Sequence, residues 1–201
     1  MSTKLLFVSF ESLPFVKTGG LADVVYALPK AIDKRKYEVR VVMPLFKVIK
    51  EHYYDGLTYL DHIYVHSGMI NEEANVYSYV NEGIEYLFIE NDTFFNGYDD
   101  DAARFSFFNV AVLEMMIKLD YYPDICHEHD YHTGVLPALC KIRYNAIENI
   151  RRIKHIFTIH NLAYQGVYDK KILFDLLAFE YRYYEDGSLR FNDCCNFMKI
   201  A

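Results

Sequence analysis

Hydrophobic and polar positions change their period several times along this chain, and each change marks an element. Residues 4–9 contain the run Leu5-Leu6-Phe7-Val8, apolar on both faces, as in a strand buried inside a parallel sheet. From Leu21 the period becomes helical. Leu21, Val24, Val25 and Leu28 recur at i, i+3, i+4 and i+7, which predicts an amphipathic helix to about Arg35, kinked or broken at Pro29. Val39 to Met43 is again a strand run, stopped by Pro44. Strand, helix, strand makes a βαβ unit with a right-handed crossover.

Three further strand patterns follow, at 59–65, 74–80 and 84–89, joined by the turn signals Ser67-Gly68 and Asn81-Glu82-Gly83. They predict an antiparallel hairpin inserted at the sheet edge, with 84–89 rejoining the sheet. Residues 91–103, with Asn96-Gly97 and three consecutive Asp at 99–101, read as a solvated loop. From Arg104 a long helix is marked by Phe105, Phe108, Val112, Met115, Met116 and Leu119, a stripe of core residues. After Tyr122-Pro123-Asp124 come a short strand at 125–127, a helix at 134–144 with Pro137 in its first turn, a strand at 153–159, an exit loop at 160–166 and a helix at 171–181. This alternation defines an α/β fold: a Rossmann-like, mostly parallel open sheet with helices on both faces and an inserted β-hairpin. In such sheets ligands bind beyond the carboxyl ends of the strands. The Gly19-Gly20 loop, residues 127–133 and His160-Asn161 all follow strands, so all three should share one rim.

Composition narrows the class. The chain has 201 residues, 52% hydrophobic and 24% charged, enough for one large domain with its own core. A net charge of −7 argues against a nucleic-acid partner. No window reaches about 18 uninterrupted apolar residues, so no membrane span is expected. The start of the chain lacks the charged and apolar regions of a signal peptide. Cys126, Cys140, Cys194 and Cys195 form no C-x-x-C pair, which suits reduced thiols in the cytoplasm. Cys126 lies within a strand and should be buried.

The chemistry gathers in three stretches. In Lys17-Thr18-Gly19-Gly20-Leu21-Ala22-Asp23, a glycine pair leads into a helix whose free N–H groups and dipole favour an anion, with Lys17 beside them. The same stretch reads equally as a plain βα turn, since neither G-x-G-x-x-G nor G-x-x-x-x-G-K-[ST] is present. His127-Glu128-His129-Asp130-Tyr131-His132 suggests metal at first sight. An H-x-H-x-D-H pattern, however, would need Asp at 131, and no second ligand set follows. The better reading is a loop that aims a carboxylate and imidazoles into a cleft, with Asp130 accepting from sugar hydroxyls and His132 either capping the next helix or, the better reading for that residue, a satisfied core histidine. His160 and Asn161 in Thr158-Ile159-His160-Asn161-Leu162-Ala163-Tyr164-Gln165-Gly166 carry groups that read hydroxyls. No Ser/His/Asp or Cys/His nucleophile set stands out.

Together these stretches resemble one family. Lys17 to Val24 resembles the K-T-G-G-L-A-D-V signature of bacterial glycogen synthases and plant starch synthases, with Glu11 and Pro14 in keeping. Residues 127–134 resemble H-x-H-D-W-H-T-G, with Tyr131 in place of Trp, and residues 158–166 match T-I-H-N-L-A-Y-Q-G. The resemblance spans residues 4–201. It implies the amino-terminal, acceptor-side half (1–201) of a GT-B glycosyltransferase, cut short of its carboxy-terminal nucleotide-binding domain. The parent would transfer glucose from ADP-glucose to the non-reducing end of an α-1,4-glucan with retention, without metal or cofactor. It further implies Lys17, Gly19, Gly20 and Asp23 at the donor diphosphate, Asp130 and His160 as catalytic residues at the glucosyl pocket, and Glu11, Asn161, Tyr164 and Gln165 on the acceptor side. Two other readings use the same residues: a stand-alone glucan-binding module, and a phosphate- or nucleotide-binding regulatory domain. By itself this half is expected to be inactive.

Overall fold

The computed structural model describes residues 2–97 and 100–201. Its centre is β1 (Thr3–Val8), paired in parallel with β2 (Tyr37–Pro44) on one side and with β6 (Ile125–His129) on the other. The strands β3 (Thr58–Ser67), β4 (Ile70–Asn81), β5 (Ile84–Glu90) and β7 (Lys154–Thr158) complete a seven-stranded sheet in the order β3-β4-β5-β2-β1-β6-β7. β5 runs parallel to β2 and β7 parallel to β6, whereas β3, β4 and β5 are antiparallel neighbours. The expected hairpin is therefore present at the edge, and 84–90 rejoins the parallel part.

Alternation along the strands builds two cores. Leu6 and Val8, with Val42, Leu87 and Ile89, point into the larger one, shared with α4 (Asp101–Lys118) and α5 (Leu136–Ile142). Leu5 and Phe7, with Val41, Met43, Tyr86 and Phe88, point into the other, beneath α1 (Leu21–Ala31) and α2 (Lys47–Tyr53). Helices thus cover both faces. The remaining elements are short: α3 (Asp92–Asn96), α6 (Glu148–Arg151), α7 (Lys171–Asp175), α8 (Arg182–Glu185), α9 (Phe197–Ile200), and the two-stranded ribbon β8 (Val167–Asp169) and β9 (Cys194–Asn196).

Several details depart from the sequence pattern. The buried face of α1 is Leu21, Ala22, Val25 and Pro29, while Leu28 is 38% exposed. Small Ala22 and the proline ring meet the sheet instead, and the helix stops at Ala31 rather than near Arg35. Residues 91–103 are not a solvated loop as far as they are described. Asn91 caps α3 by accepting from the Phe94 amide at 2.9 Å, Phe94 and Phe95 are buried, and Asp100 caps α4 by accepting from the Ala103 amide at 3.1 Å. Asp99 of the acidic run lies outside the described residues. Helix α4 therefore starts at Asp101, and it is buried well beyond its stripe, with Phe107, Val110, Ala111 and Leu113 fully enclosed. A helix apolar all round is a central one. The helix expected at 171–181 stops after Asp175, and Ala178, at φ 50°, turns the chain before α8.

Candidate functional site

The three stretches do meet. The ends of β1, β6 and β7 and the start of α1 enclose a cleft of about 550 Å³ lined by the glycine turn, Glu11, Asp130, His160, Asn161 and Tyr164, within the size range of small-molecule sites. A second cleft, also about 550 Å³, continues from it between Phe10, Phe46, Phe95 and Phe105, and the two share Glu11, Thr18, Tyr131 and His132. Lys17, Asp23 and Gln165 line neither.

The glycine turn is held from below. Glu11 is buried, and its Oε2 accepts from the Thr18 amide, from Thr18 Oγ1 at 2.8 Å and from the Gly19 amide at 3.2 Å. The Gly19 amide is therefore engaged by Glu11 rather than open to a diphosphate, and Glu11 works as the turn's brace. No side chain caps α1, and Gly20 and Leu21 at its start line the cleft. Gly20 sits at φ −72°, ψ −17°, an ordinary helical conformation, so no strain demands a glycine there. A Cβ at Gly20 would find nothing within 4 Å: what the residue preserves is empty space in front of the helix. Lys17 Nζ reaches both carboxylate oxygens of Asp23 at 2.8 Å, with each side chain about half exposed. Such an exposed pair is worth at most about 1 kcal/mol, which an incoming anion can displace.

Asp130 joins the other two stretches. Its Oδ1 accepts from the His160 amide at 2.7 Å and the Asn161 amide at 3.4 Å, and its own amide donates to Thr158 O at 3.0 Å. This carboxylate oxygen is a backbone clamp. Oδ2 takes no hydrogen bond among the described residues. Asp130 holds φ 58°, ψ 176°, a region that costs a non-glycine residue about 1–3 kcal/mol and clusters at functional sites. Thr133 Oγ1, donating to Asp130 O and to His129 O at 3.1 Å each, secures the strained turn.

The remaining polar groups divide between cleft and scaffold. His127 Nε2 is 2.7 Å from Thr158 Oγ1, and His129 Nδ1 is 2.9 Å from His160 Nε2. Among the described residues no group of three or more His, Cys, Asp or Glu is placed to hold a metal ion. Asn161 Oδ1 accepts from the Ala163 amide at 2.9 Å. The Gln165 side chain bonds Leu162 O at 3.1 Å and Asn196 Nδ2 at 2.8 Å, so it fastens the exit loop to β9. Tyr131 packs against Phe105 and over Gly166. Two residues the sequence pattern did not single out, Thr18 and Arg104, line the clefts; the start of α4 at Asp101, signalled by Asp100 as a cap, was the cue for Arg104. On the opposite face of β6, Glu128 is fully buried against His155 Nδ1 at 2.6 Å, and burial raises its pKa.

His132 is half-buried where the two clefts meet, stacked on Phe10 at 5.5 Å with an edge contact to Phe105 at 4.9 Å. Burial pushes its imidazole from 6.5 down to about 4. In the unfolded chain it titrates near 6.5, so below that pH the folded state binds fewer protons. Its contribution to stability is complete above pH 6.5 and is lost as pH falls towards 4, an effect of about 3 kcal/mol. Urea unfolding at pH 7.5 and pH 4.5 should show a steeper acid loss in the parent than in His132→Phe; equal losses would show that His132 is not held neutral.

An open α/β sheet whose strand ends gather an uncapped helix start, a strained carboxylate and paired imidazoles defines a Rossmann-like ligand-binding domain of the doubly wound kind. Comparison places it further. The family model for the starch synthase catalytic domain matches residues 4–201, and the chain belongs to that family. It is 40% identical over 207 residues to a glycogen synthase of Clostridioides difficile (strain 630), covering 98% of this chain and 43% of that relative. To a glycogen synthase of Clostridium kluyveri it is 42% identical over 201 residues, covering 98% of this chain and 42% of the relative. In structure it is similar to the catalytic domain of starch synthase IV from Arabidopsis thaliana bound to ADP and acarbose, with a TM-score of 0.86, 26% identity and coverage of 100% of this chain and 43% of that one. The chain thus spans about 43% of the length of the relatives it matches. No helix among the described residues is long and apolar enough to cross a membrane.

Proposed function

We propose that residues 1–201 are the amino-terminal, acceptor-side half of a glycogen synthase that transfers glucose from ADP-glucose to the non-reducing end of an α-1,4-glucan with retention. The observation that carries this reading is the convergence of the three family stretches on one cleft, tied together by the Asp130 clamp on His160 and Asn161. The uncapped start of α1, with Gly20 leaving space before it and Lys17 beside it, receives the departing diphosphate, where N–H groups and a cation stabilise developing negative charge. Asp130 and His160 line the glucosyl position. The adjoining cleft, with aromatic walls and Arg104, takes the glucan. The partner that completes the donor site is a carboxy-terminal domain, and the reading uses no cofactor beyond the sugar nucleotide. The free thiols of Cys126, Cys140, Cys194 and Cys195 suit a cytoplasmic enzyme.

The test joins this chain, through its last residue, to the portion of the C. difficile relative that lies beyond the matched region. The chimera should release ADP from ADP-glucose in the presence of maltooligosaccharide, while residues 1–201 alone release none above background. A folded chimera without activity, or sustained turnover by the isolated chain, would overturn the reading.

A further inference from the structure

Three imidazoles form a column along the α1 face of the sheet. His127 and His129 stack with centroids 4.2 Å apart, His129 and His160 at 5.2 Å, and Phe7 covers His129 at 5.5 Å. His129 is fully buried, and its Nδ1 lies 2.9 Å from His160 Nε2. Its other nitrogen, Nε2, is buried with no hydrogen-bond partner among the described residues. His160 is half-buried and lines the cleft. Its Nδ1 has no partner among the described residues.

One proton sits between the two facing nitrogens, and either ring can supply it. Burial, reinforced by His127 and His160, pulls the His129 imidazole down to about 2, so the ring is neutral and carries a single N–H. Placing that proton on Nε2 would bury a donor with nothing to receive it, an arrangement that is rare in folded proteins. Placing it on Nδ1 aims it at His160 Nε2 and leaves only a bare lone pair in the apolar site. His160 Nε2 must then accept, and where the His160 ring carries one proton, that proton lies on Nδ1. Which nitrogen of a histidine is protonated is set by the bond that the other one makes.

We propose that His129 is a positioning residue that fixes the tautomer of His160, so that His160 presents an Nδ1–H donor to the cleft. The inference rests on the transferase reading only for its purpose. There, a donor at this place would bond a sugar or phosphate oxygen and could not serve as a base. The geometry that carries it stands without that reading. It also explains why a fully buried polar ring is kept in the position next to Asp130: the clamp fixes the His160 backbone while His129 fixes the ring.

Long-range proton–nitrogen correlation spectra of the chain at pH 7.5, without ligand, read the tautomers directly. His129 and His160 should each show a pyrrole-type Nδ1 and a pyridine-type Nε2. His129→Asn keeps a side-chain N–H near the Nδ1 position and should leave His160 unchanged. His129→Leu removes the donor and should return His160 to the Nε2–H form. A pyrrole-type Nε2 on His129 in the parent, or a His160 tautomer indifferent to His129→Leu, overturns the proposal. Were the leucine variant not to fold, the parent and His129→Asn spectra would still decide. In the active chimera, His129→Leu should lower kcat more than it raises KM, and His129→Asn should restore most of the loss. An inactive chimera whose tautomers are as expected would sink the transferase reading and leave this one standing.

Discussion

Asp130→Ala in the active chimera should lower kcat by about 10²–10³, the scale of removing one preorganised electrostatic group from a reaction centre, with a smaller change in KM. The expectation comes from two roles on one side chain. Oδ1 holds the amides of His160 and Asn161, and in the proposed transfer Oδ2 would meet the charge developing on the sugar. The truncation also orphans two amides, a cost of about 1–3 kcal/mol. Alanine keeps the unfavourable backbone at φ 58°, ψ 176°, so nothing offsets that loss. Two companions separate the roles. Asp130→Asn retains an acceptor at Oδ1 without the charge, so it should keep most of the stability and lose kcat. Asp130→Gly relieves the backbone, which should recover stability but not activity. Steady-state kinetics and urea unfolding on the three variants check this, and a kcat within a few-fold of the parent in Asp130→Ala would remove Asp130 from the reacting centre.

Gly134→Ala should cost about 3 kcal/mol or more and lower Tm by roughly 6–12 °C. A Cβ at Gly134 would lie 2.2 Å from the carbonyl oxygen of Phe197 and 2.8 Å from its carbonyl carbon. Both are backbone atoms, and Phe197 is fully buried, so the neighbour cannot swing aside. The glycine is what lets the end of the chain lie directly on the turn that follows Asp130. Gly20→Ala is the matched control: with nothing within 4 Å, its melting temperature should stay within a degree or two of the parent. A Gly134→Ala variant as stable as this control would show that the C-terminal segment does not pack there.

The parallel core was legible because β1, β2 and β5 are apolar runs with turn residues at their ends, and because glycine, carboxylate and imidazole each follow a strand. That they share a cleft follows from topology alone. What could not be read was which partner each polar group prefers. Local pattern places Gly19 near an anion site and the resemblance puts Glu11 on the acceptor side, but only the folded turn shows the carboxylate bound to the Gly19 amide. Gln165 looked like a ligand because it sits in a motif, and its partner Asn196 is 31 residues away. The face of α1 was misjudged at Leu28 because periodicity counts large apolar residues, whereas close packing on the sheet selected Ala22 and Pro29. Residues 91–103 read as a polar loop for their Asn, Gly and Asp, yet Phe94 and Phe95 among them are buried.

The two sides of the cleft close over very different lengths of chain. Glu11 reaches Gly19 across 8 positions, whereas Asp130 reaches His160 across 30, after α5 and α6 have returned the chain to the sheet. Local contacts form early and long crossovers late. On refolding, amide protection at Thr18 and Gly19 should therefore precede protection at His160 and Asn161, and the glycine-turn side of the cleft should exist for a time without the side that Asp130 clamps.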